Sequence, residues 1–452
     1  MGQWGATFSW PIVAVHATLL PTGEVLASDG QSFAGHDARL WNPTTNVFTA
    51  VPNDKTNLFC AGHCALADGR ILVAGGHLDT HVGVRDTNIF NPQTRGWTLV
   101  APMANARWYP TVTTLPDGRV LVTAGESSCG GCDVEVPEIY NPQTNTWAQL
   151  SNARLALPYY PHMFVLPDGR LLAASTSEHP ILTQVLDLST QTWQVVDPGI
   201  FDGGSAVMYL PGQVMKSGTS ANPDDPAVPS REQTFVLDMT GPLPAWQETA
   251  PMVFPRTYHD LTLLADGTVL ATGGGLTTDP VDAGGAVLPA ELWSPVTRTW
   301  STMASLQIPR LYHSNALLMP DGRVLVTGGG RFFGQPDPTD RLSGQMYSPP
   351  YLFKGPRPVI GSAPATTTYG AHMTVQTLDA SRIAAVSFIR LGSVTHSINM
   401  DQRYLPLSFT LVEGGLDIQA PSNSNLASPG HYMLFIVDGN GVPSVAAIVR
   451  LQ

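Results

Sequence analysis

Met319-Pro320-Asp321-Gly322-Arg323-Val324-Leu325-Val326-Thr327-Gly328-Gly329-Gly330 is the stretch whose reading decides the fold. Asp-Gly between two apolar runs is a tight hairpin, because glycine enters the positive-φ region that other residues reach only against steric repulsion. The same pattern ends at Gly76, Gly125 and Gly275, and begins again at Leu166. A weaker copy starts at Leu20 and a degenerate one at Leu210. The turn glycines stand at 23, 69, 118, 169, 267 and 322, about 50 residues apart, with one double gap that contains the degenerate copy.

Each unit carries a second landmark, a polar-Pro turn followed by an aromatic: Asn42-Pro43 with Phe48, Asn91-Pro92 with Trp97, Asn141-Pro142 with Trp147, Ser294-Pro295 with Trp300. This reads as a second hairpin whose ring packs between neighbouring units. Seven units of two hairpins each predict a seven-bladed kelch-type β-propeller over residues 1–354. After Phe353 the pattern changes to short alternating strands, such as Ala384–Ile389 and Tyr432–Val437, separated by polar turns. Residues 355–452 are expected to form an immunoglobulin-like β-sandwich, so the chain is all-β.

Composition agrees. The 452 residues include 43 Gly and 39 Pro, a turn-rich content, and only 13% are charged. That excludes a coiled coil or a disordered acidic tail. The net charge is −12, with no Lys/Arg cluster, so no nucleic-acid partner is expected. No apolar stretch reaches the roughly 18 residues of a membrane helix, so no membrane partner is expected either. Met1-Gly2-Gln3-Trp4 has neither a basic nor an apolar leader region, which fits a cytoplasmic protein or a mature exported form. Cys129-Gly130-Gly131-Cys132 is suited to a small disulfide or to half a metal site.

A propeller points residues of its innermost strands into an axial channel. Just before the D-G turns stand His16, His63, Tyr109, Tyr160 with His162, Tyr258 with His259, and Tyr312 with His313. Singly, each is most simply channel lining. Together, two phenols, an imidazole and a thiol one blade away could meet at one end of the channel, where imidazole and phenolate are good copper(II) ligands. Spacing alone does not assemble them.

Four segments resemble the copper-radical oxidase family, which includes galactose oxidase and glyoxal oxidase: Phe59-Cys60-Ala61-Gly62, Arg107-Trp108-Tyr109-Pro110, Arg310-Leu311-Tyr312-His313-Ser314, and Thr395-His396-Ser397-Ile398-Asn399-Met400-Asp401-Gln402-Arg403. Gly441-Val442-Pro443-Ser444-Val445-Ala446 also matches. The resemblance covers nearly the whole chain. It implies one copper ion held by Tyr109, Tyr312, His313 and His396, with Cys60 joined to the Tyr109 ring by a thioether that stabilises a tyrosyl radical. Tyr109, Cys60 and Tyr312 are then the catalytic groups. A small alcohol or aldehyde and dioxygen are the partners, hydrogen peroxide is a product, and a monomer that is secreted or periplasmic is expected. Tyr258, His259, His16, His63 and His162 are expected to line the channel, and Cys64 to be a buried apolar group.

One departure stands out. Galactose oxidase stacks a tryptophan over the cross-linked tyrosine from a loop that here reads Glu126-Ser127-Ser128-Cys129, without a ring. Trp108 or another loop aromatic is left to take its place. Substrate choice is assigned to the loops near 77–86, 126–137, 217–231, 276–290 and 331–344, and the R-W-Y-P form leans toward small aldehydes or simple primary alcohols. The competing reading is a non-catalytic kelch propeller that binds protein or glycan.

Overall fold

The computed structural model describes residues 1–29, 37–176, 179–201, 203–220, 225, 227–331 and 339–452. Its innermost strands are His16–Leu19, Gly62–Ala65, Thr111–Thr114, Pro161–Val165, Gly203–Leu210, Thr257–Leu263 and Ser314–Leu318. Each is paired in an antiparallel sheet of at least four strands, and neighbouring inner strands meet in a closed ring, the first and second through Thr18 Oγ1 and His63 Nδ1 at 2.9 Å. These are the seven blades, and the degenerate copy at Leu210 forms the inner hairpin of the fifth. Among the described residues the helical content is three single turns of 3-10 helix.

The repeat landmarks do the work their chemistry suggests. In the D-G turns the aspartate accepts the backbone N–H two residues on, as Asp68 does from Arg70 at 3.0 Å. In the second hairpin Asn42, Asn91 and Asn141 accept in the same way, each at 2.9 Å. The blade tryptophans reach back one blade: Trp97 Nε1 donates to the Val51 carbonyl at 2.8 Å and Trp147 to Ala101 at 3.0 Å. Half-buried indoles thus both pack between sheets and satisfy a carbonyl.

The seventh blade is completed in a way the repeat does not announce. Ser343–Ser348 is its third strand, and its outer edge is covered by the N-terminal Gln3–Trp4 and Phe8–Ser9. The two ends of the repeat array are therefore tied in one sheet, which removes an open edge.

The C-terminal part has a five-stranded sheet (Thr366–Thr367, Ile383–Arg390, Tyr404–Leu407, Gly430–Asp438, Ala447–Leu451) facing a three-stranded one (His372–Gln376, Phe409–Val412, Gly415–Gln419). Met373, Val375, Phe388, Leu416, Tyr432, Leu434 and Val449 fill the space between them. From this sandwich the hairpin Ser393–Thr395 with Ile398–Asn399 enters the channel and pairs with His16–Leu19, His16 opposite Thr395. At its base Asp401 accepts from Ala65 N at 2.6 Å, Ser393 Oγ at 2.7 Å and Arg390 Nε at 3.0 Å. Gln402 bonds both Leu261 O and Leu263 N, and Arg403 donates to Val165 O at 2.9 Å.

Asp401 and Arg390 are almost fully buried, and breaking such a pair typically costs about 3–5 kcal/mol. Asp401→Ala is expected to lower the unfolding free energy by that amount, read as a lower denaturant midpoint with one unchanged cooperative slope. Two separated transitions in the wild-type protein, read by calorimetry, would show instead that the sandwich and the blades are not locked together.

Candidate active site

At the channel end where the inner strands begin, several non-glycine residues adopt left-handed backbone: Cys60 (φ 61°), Tyr109 (63°), Tyr160 (45°), Tyr258 (60°) and His313 (66°). They occupy related positions in successive blades, and the backbone links some of them. Tyr109 N donates to Cys60 O at 2.9 Å, and Tyr160 N to Tyr109 O at 3.1 Å. His396 (46°) and Ser397 (64°) form the left-handed turn at the tip of the inserted hairpin. Non-glycine residues in this region each cost on the order of 1–3 kcal/mol and persist only where their surroundings fix them.

Buried arginines do much of that fixing. Arg107, two residues before Tyr109, donates to Ala124 O, Val136 O and Glu138 Oε1. Arg256, two before Tyr258, repeats this with Gly273 O, Pro289 O and Glu291. Arg310, two before Tyr312, reaches Gly328 O and Ser343 Oγ. In this third copy Gln345 stands where the other blades have the glutamate. Burial, with Arg341 nearby, brings the Arg310 guanidinium down to about 9.

The turns bring Tyr109, Tyr312, His313 and His396 together. The two phenol oxygens are 2.7 Å apart. The His396 ring lies 4.6 Å from Tyr109, 4.4 Å from His313 and 5.3 Å from Tyr312, centroid to centroid. Cys60 is fully buried in the same cluster as Tyr109 and Trp108. His313 Nδ1 lies 2.6 Å from Gly330 O and donates to it, which leaves the lone pair on Nε2. Thr395 Oγ1 donates to Val15 O, so it accepts from His396 Nδ1 at 2.6 Å and fixes the same tautomer there. His396 Nε2 is buried without a hydrogen-bond partner. Burial, reinforced by His313, His16 and His63, holds the His396 pKa well below that of free imidazole, so the ring is neutral.

The family described as "Galactose oxidase-like, Early set domain" matches residues 357–451. Galactose oxidase of Gibberella zeae is 30% identical over all of this chain and 71% of its own length. The chain belongs to the galactose oxidase family. It is accordingly an oxidase. An aldehyde oxidase of Vitis pseudoreticulata is 28% identical over 88% of this chain and 82% of that protein. Among solved structures, a fungal alcohol oxidase of the AA5 family, in complex with copper, superposes with a TM-score of 0.88 at 26% identity, covering 100% of this chain and 99% of that one.

The ring that stacks most closely on Tyr109 is Trp108. Its indole lies 3.9 Å from the Tyr109 ring at an interplanar angle of 10°. The indole N–H donates to His77 Nδ1 at 3.0 Å, and the Trp108 backbone pairs with Glu126 through two bonds of 2.8 Å. Tyr160 stacks on Tyr109 at 4.8 Å, and Tyr159 meets Tyr109 edge-on at 5.2 Å. Tyr258 packs its ring against Tyr312 at 5.0 Å, while His259 turns to Ser217. His16 lies between His63 and His396, 5.1 and 6.0 Å from them. Cys64 is buried, which raises its thiol pKa. Cys129 and Cys132 form a disulfide, so they are not half of a metal site. Among the described residues no three His, Cys, Asp or Glu side chains converge on one point. Of the specificity loops, 221–224, 226 and 332–338 lie outside the described residues.

Residues that the sequence did not single out are His77, His81 and Tyr159, which surround Trp108. Glu126 stood in a quoted segment with no role assigned.

The buried histidines also set an acid limit on stability. Burial lowers His162 to about 3 and His63 to about 4. The unfolded chain binds protons at these sites below about pH 6.5 while the folded one does not, so stability falls as pH drops from there toward pH 4. Urea unfolding across that window is expected to show this fall. His162→Leu should reduce its slope by about one proton's worth; an unchanged slope would mean that His162 titrates normally.

Proposed function

We propose that the protein is a copper-radical oxidase that converts a primary alcohol to the aldehyde, or a small aldehyde to the carboxylic acid, while reducing dioxygen to hydrogen peroxide. In this reading Tyr109, Tyr312, His313 and His396 hold one copper ion, and Cys60 Sγ is bonded to the Tyr109 ring. The blades fall within residues 1–354, and 355–452 form the sandwich that lends His396. The observation that carries the reading is the meeting of two phenol oxygens at 2.7 Å beside the His313 and His396 rings. Two imidazole nitrogens and two phenol oxygens suit tetragonal Cu(II). A buried His396 Nε2 without a hydrogen-bond partner is costly unless a ligand satisfies it.

When bound, the copper ion supplies a Lewis acid and a one-electron acceptor beside an oxidisable phenol. The chain's residues do the rest. Sulfur substitution and the Trp108 stack make the Tyr109 ring easier to oxidise and shield it from water. Tyr312 accepts the proton of the substrate hydroxyl as general base. The Tyr109 radical then takes the hydrogen atom from the adjacent carbon. An aldehyde has to enter as its hydrate, because a bare carbonyl has no O–H for Tyr312 to deprotonate. Dioxygen takes up the two electrons and two protons and leaves as peroxide.

The Cys129–Cys132 disulfide fits an oxidising compartment, so export belongs to the same reading. Among the described residues no helix is long and apolar enough to cross a membrane.

Peroxide release from glyoxal, methylglyoxal, galactose, glycerol and benzyl alcohol, with and without added copper, tests the reaction. Copper-dependent release is expected, and silence across the panel with bound copper would defeat the reading. Intact mass after copper loading should fall by two hydrogens, and Cys60→Ser should abolish that loss. Thr395→Val, which removes the acceptor that orients His396, is expected to weaken copper binding about 10- to 100-fold, as loss of such supporting partners does. Copper titration reads that change directly.

A further inference from the structure

Next to Trp108 is a pair of groups that the oxidation does not use. His81 Nδ1 lies 2.6 Å from Glu126 Oε2. The other oxygen, Oε1, accepts the Gly131 N–H at 2.5 Å. Glu126 is only 2% exposed, so its carboxylate is held from both sides away from water. Gly131 lies within the loop closed by Cys129 and Cys132, and Gly83 N donates to Ser127 O at 3.2 Å, docking the His81 hairpin onto that loop. His81 itself is left-handed at φ 63°.

The imidazole is partly open. Its Nδ1 faces Glu126, with Tyr159 Oη at 3.1 Å, yet the side chain is 40% exposed, so solvent reaches the ring. The ring lies 4.8 Å from Trp108, which itself stacks on Tyr109. Tyr159 touches both His81 and Tyr109. The pair thus stands one ring removed from the candidate radical.

A buried carboxylate on Nδ1–H fixes the tautomer with its lone pair on Nε2 and orients the ring. We propose that His81 and Glu126 are a general-base pair that hydrates aldehydes at the mouth of the site. His81 Nε2 removes a proton from water as the water oxygen bonds to the carbonyl carbon. The carbonyl π pair moves to its oxygen, which takes the proton back from the imidazolium. The net change is aldehyde plus water to gem-diol, with no electron transferred. The purpose of the step rests on the oxidase reading, since the diol is the form that Tyr312 deprotonates. Its chemistry does not. The substrate class it favours is aldehydes that are poorly hydrated in water, including the enzyme's own first product from an alcohol.

The test is oxygen exchange. Benzaldehyde is incubated in ¹⁸O-labelled water under nitrogen with the copper-loaded full chain, and label in the recovered aldehyde is followed by mass spectrometry. The wild-type protein is expected to accelerate exchange over buffer. His81→Gln should lose that acceleration by at least about tenfold, within the range of about 10²–10⁴ that general acid–base groups supply. Glu126→Gln, which keeps an acceptor for Gly131 but removes the charge, should fall between them. Copper stoichiometry and circular dichroism establish that each variant is folded. Exchange at the buffer rate with wild-type protein, or at the wild-type rate with folded His81→Gln, overturns the proposal. Failure of the oxidase reading would show as absent peroxide in air and leaves this exchange untouched.

Discussion

Everything at the active end of the channel depends on how the C-terminal sandwich grips the inner strands at the other end. An innermost propeller strand has one bare edge, whose N–H and C=O groups face the axis and need partners. Asp401 and Arg390 together take both the N–H and the C=O of Ala65. Gln402 takes the corresponding groups of Leu263 and Leu261, Arg403 the carbonyl of Val165, and Ser428 that of Thr114. The Asp-Gln-Arg run is therefore a plug that reads backbone. Its reward is position: the hairpin above it pairs with His16–Leu19 and delivers His396 among side chains from the third and seventh blades. A slip in that pairing would displace the turn that carries His396.

The second constraint is strain. Cys60, Tyr109 and His313 all adopt positive φ, a conformation that bulky side chains avoid. The local cost is offset by buried arginine clamps and by the backbone bonds that pass from Cys60 to Tyr109 to Tyr160. This gives the arginines of the Arg107-Trp108-Tyr109 and Arg310-Leu311-Tyr312 segments a structural purpose, since neither guanidinium is exposed. It also accounts for rigidity, because each reactive ring is placed by a turn that is bonded to its neighbours.

The blades were legible because each repeats a turn chemistry that glycine and asparagine encode locally. The closing strands of the seventh blade were not, since Gln3–Trp4 and Phe8–Ser9 are two residues each and carry no repeat signal. The four converging residues were readable only through motif resemblance; spacing of 203 residues between Tyr109 and Tyr312 carries no geometric information. The His81–Glu126 pair was invisible for the same reason: two loops of different blades meet only after the sheets have formed.

Trp108 shows why the adjacent residue could take over the stacking role. In regular extended chain, neighbours i and i+1 point to opposite faces, so Trp108 and Tyr109 should lie apart. The left-handed turn at Tyr109 brings the two rings onto one side, parallel at 3.9 Å. The stack and the phenol then belong to one turn and move together, whatever happens in the loops around them. The loop at Glu126–Cys132 is thereby released from supplying a ring. It instead pairs with the Trp108 backbone and holds His81 through its carboxylate. With the ring supplied by the strand turn, the polar groups of this loop go to the His81 contact instead.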